Sequence, residues 1–176
     1  RGLGDVYKRQ LIHLLKRYAY REGEFTLSSG KQSNYYVNVK PVILTAVGLN
    51  LVCTKMIQYI DTKIVAGLTL GADPLIAGIV TMGLNGLIIR KEPKGYGTAS
   101  QVEGPMPPIG TSITVLEDVT TTGGSSLKAV NVLRSLDYHV DRIVTVVDRQ
   151  EGAEERLRGE NIELVSLVEL DELKDV

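Results

Sequence analysis

Residues 113–116 (Ile-Thr-Val-Leu) form a short β-branched run. It ends against two acids, Glu117 and Asp118, followed by Val119, three threonines, two glycines and two serines, and then a helical stretch over 125–136. A strand this short and this poor in charge is buried on both faces, the habit of strands in a parallel sheet. Parallel strands need long crossovers, usually helices, and the rest of the chain supplies them. Apolar runs at 64–68, 87–89, 143–147 and 162–166 alternate with helical stretches at 46–60, 73–82 and 154–159. The pattern predicts an α/β protein whose central parallel sheet is covered by helices on both faces.

Ahead of the sheet, Leu11, Leu14, Leu15 and Tyr18 recur at helical spacing and predict a short leading helix over 11–18. Two short strands at 24–27 and 35–39 flank the polar segment 28–34, so a hairpin is expected over about 20–40. Asp73 before Pro74 predicts a helix N-cap with proline at the first helical position. Residues 91–110 hold Pro93, Pro105, Pro107, Pro108, Gly95, Gly97, Gly104 and Gly110, so a long loop with no regular element is expected there. Residues 1–10 carry neither an apolar signal core nor a good amphipathic period, and they are expected to be a non-native or disordered leader. A single domain over 11–176 follows, since a chain of 176 residues that is 43% hydrophobic suits one core.

Twenty basic residues against 21 acidic give a net charge of −1, so no bulk positive field advertises nucleic acid or an anionic membrane. Any phosphate binding must be local. The single cysteine, Cys53, lies beside Val52 and near Met56, where it is expected to act as a small buried hydrophobe. No apolar run approaches the roughly 20 residues of a membrane span, and a cytoplasmic protein is expected.

The turn after residue 116 has a definite chemistry. Backbone N–H groups of a glycine-containing turn at a helix N-terminus converge, and the helix dipole favours an anion there. Thr121, Thr122 and Ser125 add hydroxyl donors, while Glu117 and Asp118 can accept hydrogen bonds from sugar hydroxyls at the carboxyl end of the strand. Carboxylates for a sugar and amides for a phosphate suit a sugar phosphate. The plain alternative is a solvated acidic turn before an ordinary Ser/Thr helix cap.

The stretch 113–126 resembles the phosphoribosyl pyrophosphate (PRPP) motif of type I phosphoribosyltransferases. That likeness implies their fold, a central parallel sheet flanked by helices with a small N-terminal hood, here about 20–40. It also implies that Glu117 and Asp118 meet the ribose hydroxyls, and that Thr120, Thr121, Thr122, Gly123, Gly124 and Ser125 cup the 5′-phosphate. Three further segments resemble orotate phosphoribosyltransferases. Arg90, Lys91 and Lys94, with Tyr96 and the distant Glu103-Gly104, match the family's mobile catalytic loop, in which the cations and Tyr96 would contact PRPP. The run from Phe25 to Asn38 matches its hood, with Tyr35 and Tyr36 beside the planar base. Asp148-Arg149-Gln150-Glu151 matches the position from which an arginine meets the orotate carboxylate, with Thr121 also near the base.

Read without the family, the loop cations are ordinary solubilising charges, the tyrosine pair is strand packing, and Arg149 is a surface arginine paired with Glu151 or Asp148. The resemblance implies a homodimer whose loop reaches the neighbouring active site. It also implies Mg²⁺ held mainly through PRPP and water with no direct protein ligand, and catalysis by Lys94, Arg90, Lys91 and Asp118. Transfer to another base, or a non-catalytic PRPP-binding regulator, stays open. Many relatives carry lysine where this chain has Ser28 and near Gly71, and histidine where it has Tyr96. His13 and His139 are expected at the surface or in packing.

Overall fold

The structure is a computed structural model that describes residues 2–27, 30–93 and 100–174. In chain order it runs α1 (Leu3–Tyr18), β1 (Tyr20–Thr26), β2 (Gln32–Val37), α2 (Lys40–Ile43) and α3 (Ala46–Met56), which tightens into a 3₁₀ turn at Ile57–Tyr59. There follow β3 (Ile64–Leu68), α4 (Asp73–Val80), β4 (Asn85–Ile89), β5 (Val102–Glu103), β6 (Thr114–Thr120) and α5 (Gly124–Ser135). The chain continues through β7 (Arg142–Asp148), α6 (Ala153–Arg158), β8 (Glu163–Glu169) and α7 (Leu170–Lys174). The strands form a six-stranded sheet in the order β5-β4-β3-β6-β7-β8 and a separate hairpin of β1 with β2.

Five of the six sheet strands are parallel, as the alternation of strands and helices requires. The exception is β5, which pairs antiparallel with β4 through Ile88↔Glu103 and Ile89↔Val102. It corrects the expectation that residues 91–110 hold no regular element. Two residues are too short for any periodic signal, and the edge of β4 supplies the ladder that fixes them.

The pleat sorts each strand between two apolar clusters. Val65, Leu116 and Val144 face one layer with Leu11 and Leu15 of α1, Val52 and Met56 of α3, and Ile79 of α4. Ala66, Val115 and Ile143 face the other with Val130 and Leu133 of α5 and Leu157 of α6. Cys53 is buried in the first layer, where loss of water pushes its thiol up to about 11. It is a packing residue, as its sequence setting suggests.

Several boundaries differ from expectation. The leading helix reaches back to Leu3 through residues expected to stand apart as a leader; Lys55 Nζ donates to Gly4 O at 2.8 Å, and Lys8 lies 2.6 Å from Glu172 of α7. Tertiary contacts carry this segment where periodicity is weak. Helix α4 begins at Asp73 rather than Pro74; Asp73 Oδ2 accepts from Thr69 Oγ1 at 2.7 Å instead of capping. Strand β6 runs four residues beyond its expected end because β7 keeps pairing with it as far as Thr120↔Asp148.

Gly67 sets the spacing beneath the site. A Cβ there would lie 2.8 Å from Leu116 O and would collide with Ala72 Cβ, so the turn after β3 could not close on β6. Gly67→Ala is expected to cost about 1–3 kcal/mol in urea denaturation through overpacking. An unchanged midpoint would show that the turn has room to move.

Candidate active site

The carboxyl ends of β6 and β7 lie side by side, and most of the residues singled out in the sequence gather there. Glu117 and Asp118 are consecutive on β6, so the pleat sends them to opposite faces. Glu117 turns toward α5, where Ser126 Oγ donates to its Oε2 at 2.9 Å. Asp118 turns toward α2, where Lys40 Nζ lies 3.0 Å from its Oδ2. Both acids are buried, at 6% and 9% exposed, which rules out a solvated acidic turn.

Beyond them the chain turns through Thr121, Thr122 and Gly123 into α5. Gly123 has φ +77 and a Cβ there would press on Leu157 Cγ at 3.3 Å, so glycine meets both the left-handed backbone and the close approach. The first turn of α5 leaves N–H groups without intrahelical partners, and with Thr120, Thr121, Thr122 and Ser125 they line a small cavity of about 80 Å³. The Thr120 hydroxyl is buried with no hydrogen-bond partner. A cradle of donors facing a small polar space is suited to a phosphate.

Burial dominates the electrostatics of Glu117. Loss of water, followed by repulsion from Asp118, pushes its carboxyl up to about 8, against a smaller opposing pull from the Ser126 hydroxyl. Burial therefore favours its protonated form. Gly71 sits tight against Asp118 from the turn after β3, since a Cβ would lie 2.6 Å from Asp118 Cγ. A longer residue there would displace the carboxylate.

Arg149 follows β7 directly, and its backbone N–H donates to Thr120 O at 2.9 Å, which ties it to the turn after β6. It is 6% exposed, so it is not a surface arginine. Its guanidinium packs over the Tyr35 ring at 4.8 Å and Nη2 lies 2.8 Å from Glu151 Oε1, yet Nε and Nη2 make no hydrogen bond. The Glu151 contact thus has ion-pair distance without hydrogen-bond alignment. Tyr35 donates to the same Glu151 oxygen at 2.7 Å, and Lys174 sits 5.4 Å from the Tyr35 ring centroid. Burial, then the bond to Glu151, raises the Tyr35 hydroxyl above its ordinary value. Tyr36, on the other face of β2, is 41% exposed and tilts against Phe25 at 5.6 Å. The tyrosine pair is therefore divided, with Tyr35 engaged and Tyr36 open.

Arg90 and Lys91 lie elsewhere. Arg90 follows β4, two strands from β6, with Nη1 3.7 Å from Glu103 and its N–H donating to Gln101 O at 2.8 Å. Lys91 is exposed on a cleft of about 500 Å³ that also touches Gly124, Lys128 and Arg156. Lys94 and Tyr96 lie outside the described residues. His13 and His139 are exposed and away from the site.

Sequence reasoning missed Lys40 and Ser126. Lys40 is separated from Asp118 by 78 positions, and no local pattern announces it. Ser126 was legible in part, because of two adjacent serines in a first helical turn only one can face the strand.

An α/β sheet with paired acids beside a donor-lined turn at its carboxyl edge defines a protein that handles a phosphorylated sugar. No family model matches the chain. Individual proteins do. It is 47% identical over 181 aligned positions to an orotate phosphoribosyltransferase of Thermosynechococcus vestitus, covering 98% of this chain and 95% of that one. It is 45% identical over 174 positions to that of Methanocaldococcus jannaschii, covering 95% and 97%. Among solved structures, Mycobacterium tuberculosis orotate phosphoribosyltransferase bound to PRPP has a TM-score of 0.80 at 30% identity, covering 96% of this chain and 99% of that one. The chain belongs to the orotate phosphoribosyltransferase family.

The buried proton of Glu117 gives a signed prediction. An unfolded Glu releases its proton near 4.5, whereas the folded carboxyl keeps it to about 8. The stability linked to that proton is complete below the first value and lost as pH rises to the second. Glu117→Gln, which stays neutral, should gain urea-midpoint stability relative to the parent chain between pH 5 and 8. A difference constant across that window would contradict the buried proton.

Proposed function

We propose that this chain transfers the 5-phosphoribosyl group of PRPP to orotate, giving orotidine 5′-monophosphate and pyrophosphate in pyrimidine nucleotide synthesis. The observation that carries the reading is the single hydrogen bond from Arg149 N to Thr120 O. It sets a buried guanidinium with unsatisfied donors directly beside a turn built for phosphate. A buried arginine short of partners is costly, and a planar carboxylate satisfies it better than any neutral base does.

In this reading Thr120 to Ser125 hold the 5′-phosphate and Glu117 with Asp118 hold the ribose hydroxyls. Arg149 holds the orotate carboxylate, whose place beside the guanidinium Glu151 now partly takes. Tyr36 offers an open ring to the pyrimidine, Tyr35 keeps Arg149 oriented, and Thr121 stands between base and phosphate. The bond from C1 to the diphosphate breaks, positive charge builds on the ribose, and the orotate ring nitrogen forms the new bond and gives up its proton. Asp118 beside the sugar supports that positive charge, and Arg90, Lys91 and Lys94, with Tyr96, stabilise the departing pyrophosphate. The loop that carries them serves the active site of a second copy in a homodimer.

Mg²⁺ fits this donor set as an ion carried by the substrate. Among the described residues there is no group of three or more His, Cys, Asp or Glu that could hold it. Glu117 and Asp118 are hard oxygen donors, with Asp118 already paired with Lys40, so most of the coordination falls to diphosphate oxygens and water. When bound, the ion would neutralise charge on the leaving group.

With Mg²⁺ and PRPP, orotate absorbance should fall, while uracil and adenine should give no product. Arg149→Ala should raise the KM for orotate about 30-fold or more, the scale of removing one partner of a buried charge pair, and leave the KM for PRPP nearly unchanged. Equal loss for both substrates would remove Arg149 from the base subsite. Lys94→Ala should slow turnover about a hundredfold or more while sparing PRPP binding, as measured by kcat against KM. Unchanged turnover would take the loop out of the mechanism.

A further inference from the structure

Two adjacent carboxylates are an unfavourable place to bind a sugar that carries a phosphate and a diphosphate. At about 4 Å, like charges repel by several kcal/mol at a protein surface. Ser28 and Gly71 of this chain carry no charge that could offset the acids. Gly71 cannot be lengthened while Asp118 keeps its place, since a Cβ would lie 2.6 Å from Asp118 Cγ. A cation reaches the acids from another direction. Lys40 opens α2 just after the hood strand, its backbone N–H is held by Asn38 Oδ1 at 3.2 Å, and its ammonium lies 3.0 Å from Asp118 Oδ2.

We propose that Lys40 is the positioning residue of PRPP recognition in this chain: paired with Asp118, it fixes the carboxylate that meets the ribose and offsets part of its repulsion of the polyanionic substrate. The proposal rests on the assignment of Asp118 to the ribose. Lys40 is not a buried structural charge, for its side chain is 37% exposed while that of Asp118 is 13% exposed. An ammonium has three donors and the Asp118 contact uses one, so the pair survives while a bound ligand's oxygens approach.

Steady-state kinetics of the full chain with Mg²⁺, PRPP and orotate test this with three variants. Lys40→Met keeps the stem and removes the charge. It should raise the KM for PRPP at least about tenfold, hold kcat within about threefold and leave the KM for orotate within about twofold. Lys40→Arg should restore most of the loss. Lys40→Met leaves the buried Asp118 carboxylate without its cation, so the ligand-free thermal unfolding temperature should fall, whereas the split between the two KM values is a readout that lost stability alone does not produce. Asp118→Asn should raise the KM for PRPP by itself, and adding Lys40→Met to it should have little further effect. If Asp118→Asn weakens PRPP and Lys40→Met does not, the role of Lys40 is overturned while the site stands. If neither matters, the ribose assignment itself fails, and a loss equal for both substrates or confined to kcat also overturns the proposal.

Discussion

Two carboxylates, consecutive on one strand and withdrawn from water, are the constraint around which the site is arranged. Burying either would be unfavourable without compensation, and the fold compensates them differently. Glu117 keeps a proton and takes a hydroxyl from Ser126; Asp118 takes an ammonium from Lys40 and the close backbone of Gly71. The pleat makes this division possible, because neighbours on a strand face opposite layers and so meet different helices. One acid is served by α5, the other by α2.

The sheet then brings the remaining chemistry to the same edge. Parallel strands end together, so the turn after β6 and Arg149 after β7 are adjacent without any loop spanning between them. The hairpin of β1 and β2 places Tyr35 against that arginine and leaves Tyr36 open. Each of these side chains is thus held on a rigid element, which is how a site avoids the entropic cost of assembling itself at every turnover. Arg90 and Lys91 belong to a different part of the molecule, two strands away after β4, and Arg90 is engaged there by Glu103.

Much of this was legible in the sequence because it is local. The β-branched run at 113–116, the acids and the Thr/Gly/Ser turn announce a strand, a tight turn and a helix within 14 residues. The alternation elsewhere announces the parallel sheet, and Arg149 is marked by its place at the end of a strand. What depends on long-range pairing was not legible. The extension of β6 past two acids is enforced by β7, the two-residue β5 exists only beside β4, and the helix back to Leu3 is held by Lys55 and Glu172. Lys40 is the sharpest case, since a lysine before a proline says nothing of an aspartate 78 positions away.

A crystal structure of the chain with PRPP, Mg²⁺ and orotate is the most direct test of the central claim. The account predicts the 5′-phosphate within hydrogen-bond distance of the N–H groups of 121–125, the ribose hydroxyls on Glu117 and Asp118, and the orotate carboxylate on Arg149. A phosphate bound anywhere else, with the acid pair turned away from the sugar, would contradict it.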